Sequence, residues 1–241
     1  PSEAIKWCLS EAGIGLENVE HIALNQDVKA NLLRKIIFTF KNRPNLKMLL
    51  DRLKNKRKRL NINDQILKVF SNSKFNGSIH AVEHHAAHLS SAFHTSNFNE
   101  AVVVSVDGFG DFASTAFGIG KGTKINLADR VYFPHSLGIF YQALTQYIGF
   151  HNYGDEYKVM GLAPYGKPVY IKQLRDIVKL KSDGTFELNL KYFRHHREKI
   201  DYEWEKGSPH IGTLFSPDLE KLLGSARGNN QELTQKHKDI A

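Results

Sequence analysis

Ala101-Val102-Val103-Val104-Ser105-Val106 runs directly into Asp107-Gly108-Phe109-Gly110-Asp111. So dense a β-branched run predicts a strand, nearly all apolar and therefore buried on both faces. The glycines and carboxylates that follow predict an acidic turn at its end. Ala113–Ile119 and Ile125–Tyr132, separated by Gly120-Lys121-Gly122, extend this into an antiparallel run. Just upstream, Ser78–Val82 reads as a strand that enters a helix carrying Glu83-His84-His85-Ala86-Ala87-His88.

Further out, Ser2–Ala12 has helical spacing and is ended by Gly13 and Gly15, and Val19–Leu24 is a short strand. Residues 28–42, 45–58 and 62–71 read as three helices of an inserted cap, punctuated by Pro44 and Asn61. Downstream, Ser136 caps a helix to Phe150, residues 167–179 form another, and Thr185–Leu188 is a strand after a turn at Gly184. Asn189–Arg227 reads as irregular, and a helix starts at Leu233. There is no internal repeat and no low-complexity linker.

The chain has 241 residues, 41% hydrophobic and 24% charged, enough for one large domain or two small ones. No run of eighteen apolar residues exists, which excludes a membrane-spanning helix, and Pro1-Ser2-Glu3-Ala4 lacks a signal-peptide profile. A single cysteine, Cys8, excludes a disulfide framework and a cysteine-rich zinc site and fits a reducing cytoplasm. The net charge of +8 is concentrated: Lys29–Arg59 holds twelve basic residues and one acidic one, Asp51. That segment reads either as the solvated face of a helical hairpin or as a surface that attracts phosphate-bearing substrates or nucleic acid. Its densest part, residues 52–59, has no interleaved aromatics, and the chain has no nucleic-acid-binding motif, so nucleic acid is the less favoured partner.

Two near-motifs fail on inspection. Gly161–Pro168 has phosphate-loop spacing, but Pro168 stands where a hydroxyl is needed. Gly108–Ala113 follows a strand like a dinucleotide fingerprint, yet leads into another strand instead of a helix. Asp107-Gly108-x-Gly110-Asp111 therefore reads either as a tight hairpin or as an acidic loop whose backbone approaches a phosphate while a carboxylate holds a cation. His84 and His88, four apart on a helix, project on one face and can grip one metal ion, with Asp107 as third ligand or neighbour. His85 points elsewhere, toward a supporting or substrate-facing role, and a partly exposed histidine cluster without metal is the plainer alternative. Glu156 and Lys158 either contact a polar substrate or form a surface ion pair at a helix start.

In this order, Val82–His88 with Ser91-Ala92-Phe93, Ser105–Gly110, Phe133-Pro134-His135-Ser136-Leu137-Gly138 and Gly154–Gly166 resemble one family, the nodulation-protein and cephem-type O-carbamoyltransferases, in their N-terminal catalytic domain. The likeness runs the whole chain and is strongest over 78–170. It implies an α/β chain that is part of an actin-like fold of the sugar kinase and heat-shock ATPase type, two lobes with nucleotide between them, here with a basic helical insertion at 27–72. It implies that carbamoyl phosphate and ATP form a carbamoyl adenylate and pyrophosphate, and that the carbamoyl group passes to a hydroxyl of a small molecule. It places a divalent metal, iron foremost with zinc or magnesium as alternatives, on His84 and His88 with Asp107. Asp107, Gly108, Gly110 and Asp111 are expected at the metal and phosphates. His135 and Ser136 are expected near the carbamoyl-bearing substrate, and His85, Glu156 and Lys158 complete the expected catalytic set.

The family pattern opens with a strand and a His-Asp-Ser-Ala motif, and Pro1-Ser2-Glu3-Ala4 aligns after it. Its second lobe follows where this sequence stops at Ala241. The expectation is thus a fragment, an incomplete catalytic domain inactive alone, whose partners are ATP, carbamoyl phosphate and the acceptor, with no membrane and with room for a homo-oligomer. A basic nucleic-acid-binding module and a metal-dependent hydrolase stand as the competing readings.

Overall fold

A computed structural model describes residues 2–42, 66, 68–70, 74–198, 200, 202–205, 208–228 and 230–241. In chain order, helix α1 (Ser2–Ala12) leads to strand β1 (His21–Leu24) and helix α2 (Leu32–Asn42). Strand β2 (Ser78–Ala81) and helix α3 (His84–Phe93) follow. A meander of β3 (Glu100–Gly110), β4 (Ala113–Lys121) and β5 (Lys124–Tyr132) comes next. Helices α4 (Leu137–Tyr147), α5 (Glu156–Leu162) and α6 (Ile171–Ile177) lead to the hairpin of β6 (Val178–Leu180) and β7 (Phe186–Leu188). A second hairpin, β8 (Tyr202–Glu205) and β9 (Ser208–Ile211), precedes α7 (Pro217–Leu223) and α8 (Gln235–Ile240). The expected helix at 45–58 and most of that at 62–71 lie outside the described residues. No described helix is long and apolar enough to cross a membrane.

The chain is mixed α/β, with β1 and β2 parallel in one two-stranded sheet and β3-β4-β5 antiparallel in another. Parallel pairing requires a crossover between β1 and β2, and the residues between them supply it. The long strand β3 is not buried on both faces as its sequence suggests. Val103 and Ser105 are 7% exposed, whereas Val102, Val104 and Val106 are 74%, 57% and 55% exposed. An antiparallel strand covered by a helix on one side buries only alternate residues, and α3 covers that side through Leu89 and Phe93, against Val103 and Ala116.

The strand also runs further than the sequence suggests. Pairing passes from Val106↔Thr115 to Gly110↔Ala113, so Asp107, Gly108 and Phe109 bulge opposite Ser114. The turn itself is only Asp111-Phe112, at φ +47° and +75°. A bulge of this kind bends the strand and re-aims its side chains, which lifts Asp107 out of the regular ladder.

The main core lies beyond the meander, where α4 contributes Ala143, Leu144 and Tyr147, and Ile177, Tyr192, Leu219 and Leu223 close around them. The stretch 189–227 is more ordered than its sequence suggests, with a hairpin and a helix in it. Buried Gln146 holds it by side-chain bonds to the carbonyls of Ile211 and Gly212 and from the amide of Leu214, at 3.2, 3.2 and 2.8 Å. Those contacts span more than sixty residues and leave no local trace in sequence. The Phe133–Pro134 peptide between β5 and α4 is cis.

Candidate metal centre

The N-terminus of α3 carries the histidines and is tied down by two carboxylates. Glu83 is its N-cap, accepting from the amides of His85 and Ala86 at 3.2 and 2.9 Å, and it also meets Arg130 of β5 at 3.3 Å. Asp111 Oδ2 accepts the His84 amide at 2.9 Å and the Asp27 amide at 2.7 Å, while Asn31 Nδ2 donates to the Asp111 carbonyl at 2.8 Å. Three amides that a helix start leaves unpaired are thus satisfied, and the negative ends sit where the helix dipole favours them.

From this fixed start, His84 and His88 project one turn apart toward the β3 bulge. His84 Nε2 lies 2.6 Å from Asp107 Oδ2 and 3.0 Å from His88 Nε2, and His88 Nε2 lies 3.5 Å from Asp107 Oδ2. These three are the one group of metal-capable side chains that converges among the described residues, with ligand atoms all within 4.8 Å. Donors bound at about 2.0–2.2 Å to a common ion stand roughly 3 Å apart when adjacent. The spacing fits, and two imidazoles with one carboxylate form a donor set suited to iron or zinc.

Burial pushes the Asp107 carboxyl up. The hydrogen bond with His84, the Gly108 amide at 2.6 Å and the adjacent imidazoles outweigh it and hold the group below its ordinary value. Asp107 is therefore an anion at neutral pH. Gly110 has no room for a side chain, since a Cβ there would fall inside the His84 ring. Gly108 differs: a Cβ there would meet nothing within 4 Å, so the backbone on that side of the bulge is open.

The other residues singled out from sequence separate into groups. His85 is fully buried, its Nδ1 bonded to Ser105 Oγ at 2.9 Å, and burial lowers its pKa. It fastens α3 to β3 from beneath. Ser136 is fully buried too, its Oγ donating to the Asp107 carbonyl at 3.0 Å and accepting from the Ile139 amide at 3.1 Å. His135 Nδ1 accepts from the Leu188 amide at 3.0 Å, and burial lowers its pKa, so it is neutral with its proton on Nε2. Asp111 is committed to backbone amides. Glu156 and Lys158 lie on α5, where Lys158 Nζ pairs with Asp155 Oδ1 at 2.6 Å and the Glu156 carbonyl accepts from Tyr141. Among the described residues, their contacts stay on α5 and its neighbours and do not reach the histidine–aspartate group.

Residues that sequence reasoning left aside complete the support. Glu83 could have been found as the residue before the histidine helix, although glutamate is not a usual N-cap. Gly138 packs against the Asp107–Gly108 backbone, where a Cβ would come within 2.8 Å of the Gly108 nitrogen. His195, whose Nε2 meets the Pro134 carbonyl at 2.8 Å, gives no local signal.

The family model for the carbamoyltransferase N-terminus matches residues 1–203. The chain belongs to the carbamoyltransferase N-terminal family. Among its relatives, an uncharacterised protein of Synechocystis is 33% identical over 250 residues, covering 100% of this chain and 38% of that protein. Nodulation protein NolNO of Sinorhizobium fredii is 30% identical over 245 residues, covering 100% of this chain and 31% of NolNO. Nodulation protein NolO of Bradyrhizobium diazoefficiens is 42% identical over 112 residues, 45% of this chain and 20% of NolO. The chain therefore spans about a third of the length of these first two relatives.

Proposed function

We propose that this chain is the metal-holding part of an ATP-dependent O-carbamoyltransferase of actin-like fold. In this reading, water first cleaves carbamoyl phosphate to carbamate and phosphate, and a carbamate oxygen then attacks the α-phosphorus of ATP, forming the carbamoyl adenylate and releasing pyrophosphate. Attack by an acceptor hydroxyl on the carbamoyl carbon then forms a C–O bond and breaks the bond to AMP, releasing AMP and a proton. The observation that carries it is the convergence of His84, His88 and Asp107 in a chain of this family.

His84, His88 and Asp107 hold the divalent ion, iron foremost. Once bound, it supplies Lewis-acid polarisation of a carbonyl or phosphoryl oxygen. The protein's own work is placement. Asp107 stays ionised and keeps both imidazole Nε2 atoms turned toward it. His88 and Asp107 have side chains 51% and 38% exposed, which leaves one side of the group open to a reactant. The uncovered backbone at Gly108 gives a phosphate or carbamoyl oxygen close access to the bulge. His135, neutral and with Nδ1 occupied, offers Nε2–H as a donor, and Ser136 holds the Asp107 backbone in place. Such positioning of two reactants accounts for large rate effects without a protein nucleophile.

Metal analysis of the purified chain is the direct test. About one divalent ion per chain is expected, lost in H84A/H88A and in D107N. Metal content unchanged in the double variant removes the site. In the gene product that contains this chain, ATP-dependent consumption of carbon-13-labelled carbamoyl phosphate should vanish with D107N.

A further inference from the structure

His195 is 8% exposed, and its ring is packed among Phe109, Phe133 and Phe193, with centroids 5.9, 5.9 and 5.8 Å away. Its Nε2 lies 2.8 Å from the Pro134 carbonyl, 61 residues earlier in the chain. A carbonyl accepts only, so Nε2 carries the proton, and Nδ1 is left without a hydrogen-bond partner among the aromatic rings. Pro134 is buried as well, so without His195 its carbonyl would lose its partner away from water.

Each residue after that carbonyl is pinned in turn. The His135 carbonyl accepts from Ser114 Oγ at 2.6 Å, and His135 Nδ1 accepts from the Leu188 amide. Ser136 Oγ then donates to the carbonyl of Asp107. His195 reaches the same place by a second route, because Phe109, against which its ring packs, lies in the bulge with Asp107. A buried donor is thus linked to the Asp107 backbone both through the Pro134–Ser136 segment and through the bulge.

We infer that His195 is a positioning residue for Asp107: by holding the Pro134 carbonyl and packing on Phe109, it fixes the carboxylate at the spacing that metal binding by His84 and His88 needs. This rests on the metal-site reading of the preceding section. His195 touches neither metal nor substrate, and its effect passes through Ser136 and the bulge.

The test is absorption-monitored Co2+ titration of the 241-residue chain, with circular dichroism to confirm folding. H195F keeps an aromatic ring but deletes the donor; H195Q keeps an N–H near the Nε2 position; S136A cuts the link to Asp107. Loss of an outer-shell partner weakens metal affinity about 10-fold, so H195F and S136A should lose about that much while H195Q stays within about 3-fold of wild type. The H195F/S136A pair should lose no more than the larger single variant, because both act on one path. Wild-type affinity in folded H195F overturns the inference. If H195F does not fold, wild-type affinity in S136A, or the loss of affinity in folded H195Q, overturns it instead. A wild-type chain that binds no Co2+ sensitive to H84A/H88A removes the metal-site reading itself, a distinct outcome.

Discussion

Acidification should destabilise this fold well above the carboxylate range, with His195 as the largest single source. Burial pushes its pKa from the ordinary 6.5 down to about 4. Neighbouring His196 and His135 add to the shift, and the bond to the Pro134 carbonyl opposes it. In the unfolded chain the ring takes its proton near pH 6.5, but in the folded chain only near pH 4. Between those values the unfolded state binds more protons, so stability is complete above about pH 6.5 and is lost as pH falls toward 4. At 1.36 kcal/mol per pH unit the full loss is about 3 kcal/mol, of which about 2 kcal/mol is gone by pH 5. A domain holds only about 5–15 kcal/mol in all, so this is a large share. Urea unfolding at about pH 7 and pH 5, for wild type and H195Q, reads it directly. Burial lowers His85, His135, His196 and His237 as well, so wild type loses more than the His195 share, and the difference between the two proteins isolates it. An equal loss in H195Q and wild type would refute the reasoning.

Two further outcomes follow from the packing. G110A drives a methyl group into the His84 ring, whose Nε2 is hydrogen-bonded to Asp107; overpacking of this kind costs about 1–3 kcal/mol, and the melting temperature and Co2+ affinity should fall together. Val104→Lys, on the exposed face of β3, an edge strand among the described residues, should leave stability within about 0.5 kcal/mol and raise the concentration at which light scattering detects self-association, because an apolar edge strand invites pairing. An unchanged scattering threshold would count against that role of the β3 face.

Elements with strong local patterns were legible in the sequence. The α1 helix, the strand before the histidines and the three strands of the meander all lie close to where their periodicity puts them, and His84 and His88 face Asp107 as their spacing suggests. What misled was context: the valines of β3 announce an apolar strand but cannot say that only one face is covered. Likewise Asp107-Gly108-Phe109-Gly110 looks like a turn, because a bulge and a turn use the same glycines. Glu156 and Lys158 follow the plainer of their two sequence readings, since they open a helix and Lys158 pairs three residues back with Asp155. His195 and Gln146 were invisible because their partners lie 61 and more residues away and no local pattern encodes them.

Asp111 occupies a junction between two parts of the chain with different jobs. The connection that leaves β1 is gripped at Asp27 and Asn31, and the same residue grips the first amide of the histidine helix. The take-off of that connection is thus set by two hydrogen bonds, at Asp27 and Asn31, well before its most basic stretch at residues 52–59. Asp111 is therefore a shared anchor: a substitution there would loosen the start of that connection and the first turn of the histidine helix together.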